Sequence, residues 1–263
     1  MGALDFLRMN EAKNIKDLDA PEATAVHARI LMKKKFLRNI YRKFYHEFDR
    51  VSNSGLVVEL GSGGGFIKEV HPDFLTSDIM ALPNTDLTFS ALDMPFEKNT
   101  VSALVMVDAL HHFVDADKFF HEANRVLKKG GKIIMVEPAQ TLLGLFIYMF
   151  IHHEKTSSYH TWKLLDDKGE VVKDGLKPLS CSNPSAPTSI FFTEREFFEK
   201  QFPKLRIKSI RLHTPFAYIL SGGLSMKQLA PDFTYGFVSF FEWLASPLNK
   251  YLAMFMTVEL EKK

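Results

Sequence analysis

The stretch VVELGSGGG, residues 57–65, decides the fold, because an apolar run ends in a carboxylate and a cluster of glycines follows at once. This order is typical of a buried parallel strand that leads into a tight turn and then into a helix, here expected near Phe66. Glycine lets the backbone adopt positive φ and leaves room for a ligand at the carboxyl end of the strand. The stretch therefore predicts a nucleotide-type ligand.

Two common nucleotide motifs do not fit the glycine spacing. The dinucleotide motif G-x-G-x-x-G needs its third glycine at the position of Phe66, whereas this chain has Gly61, Gly63 and Gly65. The Gly-Lys-Ser/Thr of a phosphate loop is also missing from the stretch, so no lysine would reach the β and γ phosphates. A nicotinamide-dependent oxidoreductase on a similar fold stays open as an alternative, which titration with NADH would test.

Composition favours a globular enzyme over a polyanion-binding protein. The 263 residues are 46% hydrophobic and 24% charged, which is ordinary for a folded domain. The net charge of +2 gives no reason to expect a nucleic-acid partner. A single cysteine, Cys181, excludes an intramolecular disulfide, and no basic-then-apolar leader opens the chain. The longest apolar run, residues 141–151, is too short to span a bilayer, so a cytoplasmic location is expected.

Strand and helix signals alternate after the glycine stretch. Strands are predicted at 56–60, 74–77, 87–91, 101–107, 132–136, 205–212 and 252–260, and helices at 64–70, 116–127, 193–201 and 233–244. Gly130 and Gly131 are expected to cap the second of these helices, and Thr193 with Glu196 to form a capping box at the start of the third. The predicted fold class is α/β, a Rossmann-like doubly wound sheet that is mostly parallel with a late antiparallel strand.

A single helix is predicted before the first strand, over residues 22–50, because the apolar side chains there follow one helical stripe. Its opposite face carries the basic residues Arg29, Lys33, Lys34, Lys35, Arg38, Arg42 and Lys43. This face is either a solvated surface or a contact for anionic lipid or an acidic substrate, so peripheral membrane contact through residues 24–49 is one expectation.

Four segments, in this order and at these intervals, carry a resemblance to a known family. They are VVELGSGGG (57–65), TSDI (76–79), ALDMPFEKNTVSALVMVDALHHF (91–113) and EANRVLKKGGKIIMVEPA (122–139). Between about residues 56 and 139 the chain resembles the type-11 family of class I S-adenosylmethionine-dependent methyltransferases. The resemblance implies S-adenosylmethionine as methyl donor and S-adenosylhomocysteine as product. It also implies one domain over 1–263, with an N-terminal helix (22–50), a cofactor-binding core (51–140) and a substrate cap with the last two strands (141–263).

The resemblance also implies a set of donor-binding residues at the carboxyl ends of the strands. They are Glu59, Gly61, Ser62, Gly63, Gly65, Asp78, Ile79, Asp93, Met94 and Asp108. Asp78 would accept both ribose hydroxyls, unless it only caps a turn. Asp93 would accept from the adenine amino group and Met94 would hold the ring. Asp108 would face the methionine end or the substrate, and Glu59 would organise the glycine loop rather than bind the donor.

Two neighbouring histidines, His111 and His112, are the candidate catalytic residues because they follow the predicted strand 101–107. Histidine is the side chain best suited to take a proton near neutral pH. The alternative is a loop histidine that bonds backbone or closes the pocket. A second cluster, His152-His153-Glu154 with His160 nearby, could hold a metal, but adjacent residues on a helix point in different directions, so no metal site is predicted.

The sequence therefore predicts methyl transfer from S-adenosylmethionine to a small or lipid-like acceptor, at oxygen if a loop histidine is the general base. The aromatic residues Phe237, Phe240, Phe241 and Trp243 of the predicted cap favour an apolar or amphipathic acceptor. The alternative is a catalytically inactive cofactor-binding or regulatory protein of the same fold. The acceptor, the methylated atom and the oligomeric state are not specified by the sequence.

Overall fold

A seven-stranded sheet forms the centre of the protein in the computed structural model, which describes residues 5–51, 53–150, 162–165, 170–175 and 177–263. The spatial order is β3-β2-β1-β4-β5-β7-β6; strands from β3 to β5 are parallel, and β7 runs antiparallel to both of its neighbours. The strands are β1 Val57–Leu60, β2 Leu75–Asp78, β3 Leu87–Thr88, β4 Val101–Val107, β5 Leu127–Pro138, β6 Leu205–His213 and β7 Phe255–Lys262. This sheet confirms the predicted fold class.

Helices cover the sheet and fill the connections. They are α1 Asn10–Lys13, α2 Pro21–Lys33, α3 Lys35–Tyr45, α4 Ala116–Val126, α5 Leu142–Phe150, α6 Ala186–Thr188, α7 Arg195–Gln201, α8 Ala217–Ser221, α9 Tyr235–Leu244 and α10 Asn249–Leu252. Short 3-10 turns include Phe66–Glu69 after the glycine loop and Leu110–His112 after β4. Within the described ranges, no helix combines the length and apolar character that crossing a bilayer demands.

Two apolar clusters lie on opposite faces of the sheet, because successive side chains of a strand point to opposite sides. Leu104 of β4 belongs to the first cluster, together with residues of α4 and α7. Val105 belongs to the second cluster, together with residues of α3, α8 and α9. Burial on both faces explains why β4 consists of a nearly uninterrupted apolar run that could be recognised from sequence.

The prediction that Gly130 and Gly131 cap a helix is wrong. Helix α4 ends at Val126, and β5 already begins at Leu127, which pairs with Val101. The two glycines lie inside the long strand, where Gly130 takes a φ of +76° and the pairing with β4 shifts register. The glycines therefore allow a bend in the strand and do not end a helix.

The predicted capping box at Thr193 is also not formed. Residues Ser189–Thr193 make a π-helical turn, and α7 begins after Glu194, whose side chain makes no capping bond. The indole N–H of Trp162 donates a hydrogen bond to the Glu194 carboxylate. A tertiary contact at Glu194 thus shifts the helix start past Thr193.

The single helix predicted over 22–50 is two helices, α2 and α3, which meet at Lys34. Lys34 has an extended conformation (φ −91°, ψ 92°), and its ammonium donates to the carbonyl oxygens of Ser221 (3.1 Å), Gly223 (2.7 Å) and Met226. The residue is 7% exposed, and burial lowers its pKa to about 8. Lys34 was expected on the basic surface, and instead it ties the helix junction to the turn after α8.

Four of the six remaining basic residues, Lys43 among them, form ion pairs. Arg38 and Arg42 both contact the carboxylate of Glu69, at 2.7 and 3.0 Å, and Lys33 contacts Glu11 at 2.8 Å. A cation that is already in an ion pair is attracted less strongly to an anionic surface.

Replacing the buried lysine should weaken the fold. Lys34→Met leaves three backbone carbonyls without their donor, so we expect the free energy of unfolding to fall by about 2 kcal/mol or more. Urea denaturation followed by circular dichroism measures this change. Lys35→Met, at the exposed neighbouring position, is the matched control and should change stability by less than about 0.5 kcal/mol. Equal losses in the two variants would contradict the role of the Lys34 contacts.

Candidate functional site

The carboxyl ends of β1, β2 and β4 meet at one edge of the sheet and border a cavity of about 630 Å³. Strand ends of this kind are where ligands bind in open α/β sheets. Nine of the twelve residues predicted for the site line the cavity: Glu59, Gly61, Ser62, Gly63, Gly65, Asp78, Ile79, Asp108 and His112. The other three, His111, Asp93 and Met94, do not.

The glycine loop is held in a shape that only glycine adopts easily. Gly61, Gly63 and Gly65 have φ values of +67°, +52° and +68°. A Cβ atom at Gly65 would lie 2.4 Å from the carbonyl oxygen of Asn84, and one at Gly61 would lie 2.9 Å from the Cβ of Ala109. These contacts require glycine for backbone packing as well as for φ, and they leave the loop's open side to the cavity.

Asp78 fixes the glycine loop from the end of β2. One carboxylate oxygen accepts the backbone N–H of Gly63 at 2.9 Å, and the other accepts that of Met80 at 3.0 Å. Burial raises the pKa of Asp78. Each oxygen of a carboxylate can accept a second hydrogen bond, so the Asp78 side chain can still accept hydrogen bonds from ligand hydroxyls.

Glu59 lines the cavity with a buried carboxyl group, and its predicted role as organiser of the glycine loop stays a prediction. It is 2% exposed, and burial raises its pKa to about 8. Its Oε2 atom is buried and has no hydrogen-bond partner among the described residues. A buried carboxyl oxygen of this kind is costly unless a ligand supplies a donor, so Glu59 and the glycine cradle together fit a ligand with a donor or cationic group.

His111 is held away from the cavity by a buried carboxylate. Its Nδ1 lies 2.8 Å from Glu137 Oε2, at the end of β5. The other oxygen of Glu137 accepts the backbone N–H groups of Ala109 (2.9 Å) and Leu110 (2.7 Å). Glu137 therefore shapes the loop after β4, and His111 belongs to that structural unit.

His112 lines the cavity with a defined tautomer. Its Nδ1 lies 3.1 Å from the carbonyl oxygen of Cys181, which can only accept, so Nδ1 carries the proton and Nε2 has the lone pair. Burial and the neighbouring His111 ring lower the pKa of His112 to about 3. Geometry thus separates two histidines that sequence could not rank: His112 is the one at the cavity.

The residues predicted to bind adenine lie beside the cavity. Asp93 is exposed, while Met94 is buried, with its N–H donated to Glu122 (2.8 Å) and its carbonyl accepting from Arg125 (3.0 Å). Strand β3 ends at Thr88, and the cavity is lined instead by the four residues 89–92. The roles predicted for Asp93 and Met94 stay predictions.

Sequence reasoning missed two tyrosines and a covering segment. Tyr41 and Tyr45 of α3 line the cavity, and burial raises the pKa of both well above the usual value; Tyr41 also bonds the side chain of Asp108. Residues 174, 175 and 177–179 line it too. The tyrosines continue the apolar stripe of the predicted helix, so the sequence pattern could have indicated them. The segment around residues 174–179 has no periodicity that could have indicated it.

A metal site is not evident in the described part of the chain, where no group of three His, Cys, Asp or Glu side chains could hold an ion. The cluster His152-His153-Glu154 and His160 lies outside the described residues.

Sheet order, glycine loop and strand-end carboxylates together define a Rossmann-like α/β protein with a nucleotide-type ligand site. Residues 58–135 match the family model described as a methyltransferase domain, type 11. Over residues 58–135 the chain is therefore similar to class I S-adenosylmethionine-dependent methyltransferases, as the resemblance implied. No curated protein sequence matches the chain.

Solved structures share this fold at low sequence identity. An S-adenosylmethionine-dependent methyltransferase from Archaeoglobus fulgidus is similar at 11% identity and TM-score 0.51, with 88% of this chain and 98% of that chain covered. A putative methyltransferase of Haloferax volcanii, in complex with the Trm112 methyltransferase activator, is similar at 16% identity and TM-score 0.50, with 92% and 94% covered. Geranyl diphosphate C-methyltransferase from Streptomyces coelicolor A3(2) has 13% identity and TM-score 0.46, with 86% and 78% covered.

Removing the Asp78 carboxylate should weaken donor binding. Asp78→Ala loses the loop contacts and any bond to a ligand hydroxyl, so we expect the dissociation constant for S-adenosylmethionine to rise by the equivalent of about 1–3 kcal/mol. Isothermal titration calorimetry measures this constant. Asp73→Ala, an exposed aspartate before the other end of β2, is the control and should bind as wild type. An unchanged constant for Asp78→Ala would overturn the assignment.

Proposed function

We propose that the protein transfers a methyl group from S-adenosylmethionine to a small, apolar or amphipathic acceptor. The observation that carries this proposal is the single cavity that joins the glycine loop, the Asp78 carboxylate and the lone-pair tautomer of His112. The family match supports S-adenosylmethionine as the donor, and the cavity geometry supports the roles proposed for individual residues.

The donor half of the cavity fits the parts of S-adenosylmethionine. Bound there, the donor supplies a methyl group that is already activated as a sulfonium. We assign the free acceptor positions of Asp78 to the ribose hydroxyls and place the cationic methionine end near Glu59 and Asp108. The open backbone of residues 61–65 lets the donor approach closely. Alignment of acceptor, methyl carbon and sulfur is then the main task of the chain.

We assign the acceptor to the apolar part of the cavity lining. This part includes Leu31, Met32, Phe113, Leu179 and Leu224. Apolar walls with few polar groups favour an acceptor with a hydrocarbon portion. The aromatic residues that were predicted to favour such an acceptor do not line the cavity and are exposed: Phe237, Phe240, Phe241 and Trp243.

His112 is the proposed general base for a hydroxyl acceptor. Its neutral form presents a lone pair at Nε2, since Nδ1–H is donated to the carbonyl of Cys181. His111 is assigned a positioning role only. It contacts Glu137, and its ring centroid lies 4.3 Å from that of His112, so it helps to hold the His112 ring in place. An amine or carboxylate acceptor would need alignment but no base.

A cytoplasmic location belongs to the same proposal. The single cysteine, Cys181, cannot form an intramolecular disulfide, and a chain without disulfides is usual in a reducing compartment.

Methyl transfer to amphipathic hydroxyls tests the function directly. With methyl-labelled S-adenosylmethionine and 4-alkylphenols as probe acceptors, we expect labelled product and a rate constant kcat/KM that rises with alkyl length, because a longer chain contacts more of the apolar wall. Phenol itself is the matched polar control. Saturable S-adenosylmethionine binding without transfer to phenols, alkylamines or fatty acids would instead support a cofactor-binding or regulatory protein.

Substitution of the proposed base should lower turnover without affecting donor affinity. We expect His112→Ala to reduce kcat with the best phenol by about 10²-fold or more, with S-adenosylmethionine affinity unchanged. Because His112 has a pKa of about 3, it stays neutral down to pH 5, and the wild-type rate should be flat between pH 5 and 8. His121→Ala, an exposed histidine of α4, is the control. Full activity in His112→Ala would exclude His112 as the base, whereas an acid limb near pH 6.5 would contradict only the lowered pKa.

A further inference from the structure

An exposed apolar surface lies outside the cavity, on α9 and the turn before it. This aromatic face consists of Phe233, Phe237, Phe240, Phe241, Trp243 and Leu244, whose exposed fractions run from 46% to 87%. Ring centroids are 4.7 Å apart for Phe237 and Phe241, 5.7 Å for Phe240 and Phe241, and 6.0 Å for Phe240 and Trp243, so these four rings form one continuous patch. A patch of large exposed apolar side chains marks an interaction site.

The fold does not need these side chains for its own core. Helix α9 is anchored from its other side, where Tyr235 and Val238 pack on the second apolar cluster. Its one acidic residue, Glu242, is 5% exposed and accepts the backbone N–H groups of Phe216 (3.0 Å) and Ala217 (2.8 Å). The carboxylate is therefore turned inward, and the outward side of α9 carries no ionised group.

Neighbouring helices extend the apolar character along the same edge of the sheet. Helix α10 packs against α5, and their exposed residues include Phe146 (54%) and Tyr251 (45%). Phe255, which follows α10, pairs with Pro138 at the carboxyl end of β5. These helices thus lie at the sheet edge that borders the donor cavity.

A lysine follows the aromatic face in the chain, and the acidic residue that precedes the face, Asp232, accepts hydrogen bonds from the backbone N–H of Phe36 and the side chain of Gln228. Lys250 of α10 is exposed, and its ammonium lies 4.8 Å from the centroid of the Tyr251 ring. Lys43 forms an ion pair with Glu242 at 3.6 Å, so Lys250 is the cation that carries the argument. Aromatic rings with a lysine at their margin match the boundary between acyl chains and anionic headgroups. A symmetric contact with a second copy would instead bring each patch and its lysine against the same patch.

We propose that the protein binds the surface of an anionic lipid bilayer through the aromatic face. Side chains of α9 enter the headgroup and acyl boundary, and Lys250 contacts lipid phosphates. This site differs from the basic helix surface expected from sequence, where Lys34 is buried and two arginines share Glu69. The inference goes beyond methyl transfer and needs neither donor nor acceptor.

Vesicle binding tests the inference with the full chain and no ligand. Vesicles contain equal parts of phosphatidylglycerol and phosphatidylcholine, with pure phosphatidylcholine for comparison. Of the two tryptophans, Trp162 is 2% exposed and Trp243 is 68% exposed, so Trp243 reports contact. We expect sedimentation with the anionic vesicles, a blue shift of tryptophan emission, and quenching by brominated acyl chains.

Matched phenylalanine variants give the decisive comparison. Phe237→Ser should reduce the partition coefficient by about tenfold or more, because one aromatic ring leaves the boundary. Phe192→Ser makes the same change at an exposed position whose neighbours Ile190 and Phe191 belong to the first cluster, across the sheet, and should bind within about twofold of wild type. Lys250→Ser should weaken binding to anionic vesicles and not to phosphatidylcholine.

Three results would overturn the inference. The first is an equal loss of vesicle binding in Phe237→Ser and Phe192→Ser. The second is a loss of vesicle binding in Arg38→Gln while Phe237→Ser binds as wild type. The third is a wild-type protein that forms a dimer and does not bind vesicles, with a dimer that Phe237→Ser dissociates. Unfolding midpoints in urea establish that the exposed variants fold. A protein that binds vesicles and transfers no methyl group would sustain this inference while refuting the proposed function, and the reverse result would do the opposite.

Discussion

The site depends on buried carboxylates that bind backbone amides at the ends of strands. Glu137 at the end of β5 holds the loop after β4 through Ala109, Leu110 and His111, and Asp78 at the end of β2 holds the glycine loop through Gly63. Each carboxylate joins a strand end to the loop of a neighbouring strand. Because a buried carboxylate is costly without such bonds, these contacts hold each loop in place at the edge of the sheet where the cavity lies.

The sheet could be predicted because its signals are local. Val101–Val107 is apolar at nearly every position, and a carboxylate or glycine ends or follows each of β1, β2 and β4, so the order of elements and the residues at one edge follow from pattern. Nine predicted site residues meet at the cavity for this reason. Asp93 and Met94 do not line the cavity, because β3 ends at Thr88 and not near residue 91 as predicted. Pairing with β2 sets this boundary, and no local sequence pattern indicates it.

The remaining features depend on contacts between distant parts of the chain. The spacing of Lys34 fits the basic side of a continuous helix. In the structure its ammonium donates hydrogen bonds to carbonyl oxygens of residues 221–226, and the helix is interrupted at Lys34. Gly130 has the position of a helix cap, yet pairing with Val101 draws its segment into β5. Helix α9 is apolar on nearly every side, so periodicity could not say which residues face water. Tertiary contacts override the local preference in each case.

An apolar cavity and an aromatic face at one edge of the sheet have a common physical consequence. An acceptor with a long hydrocarbon portion resides mostly in membranes, because each buried methylene contributes about 0.8 kcal/mol to leaving water. An enzyme that takes such an acceptor from water would meet it rarely, whereas one held at the bilayer surface meets it at high local concentration. The orientation of α9 gives this arrangement a structural basis: Glu242 turns inward to fix the helix, and that rotation leaves the aromatic rings on the outer side.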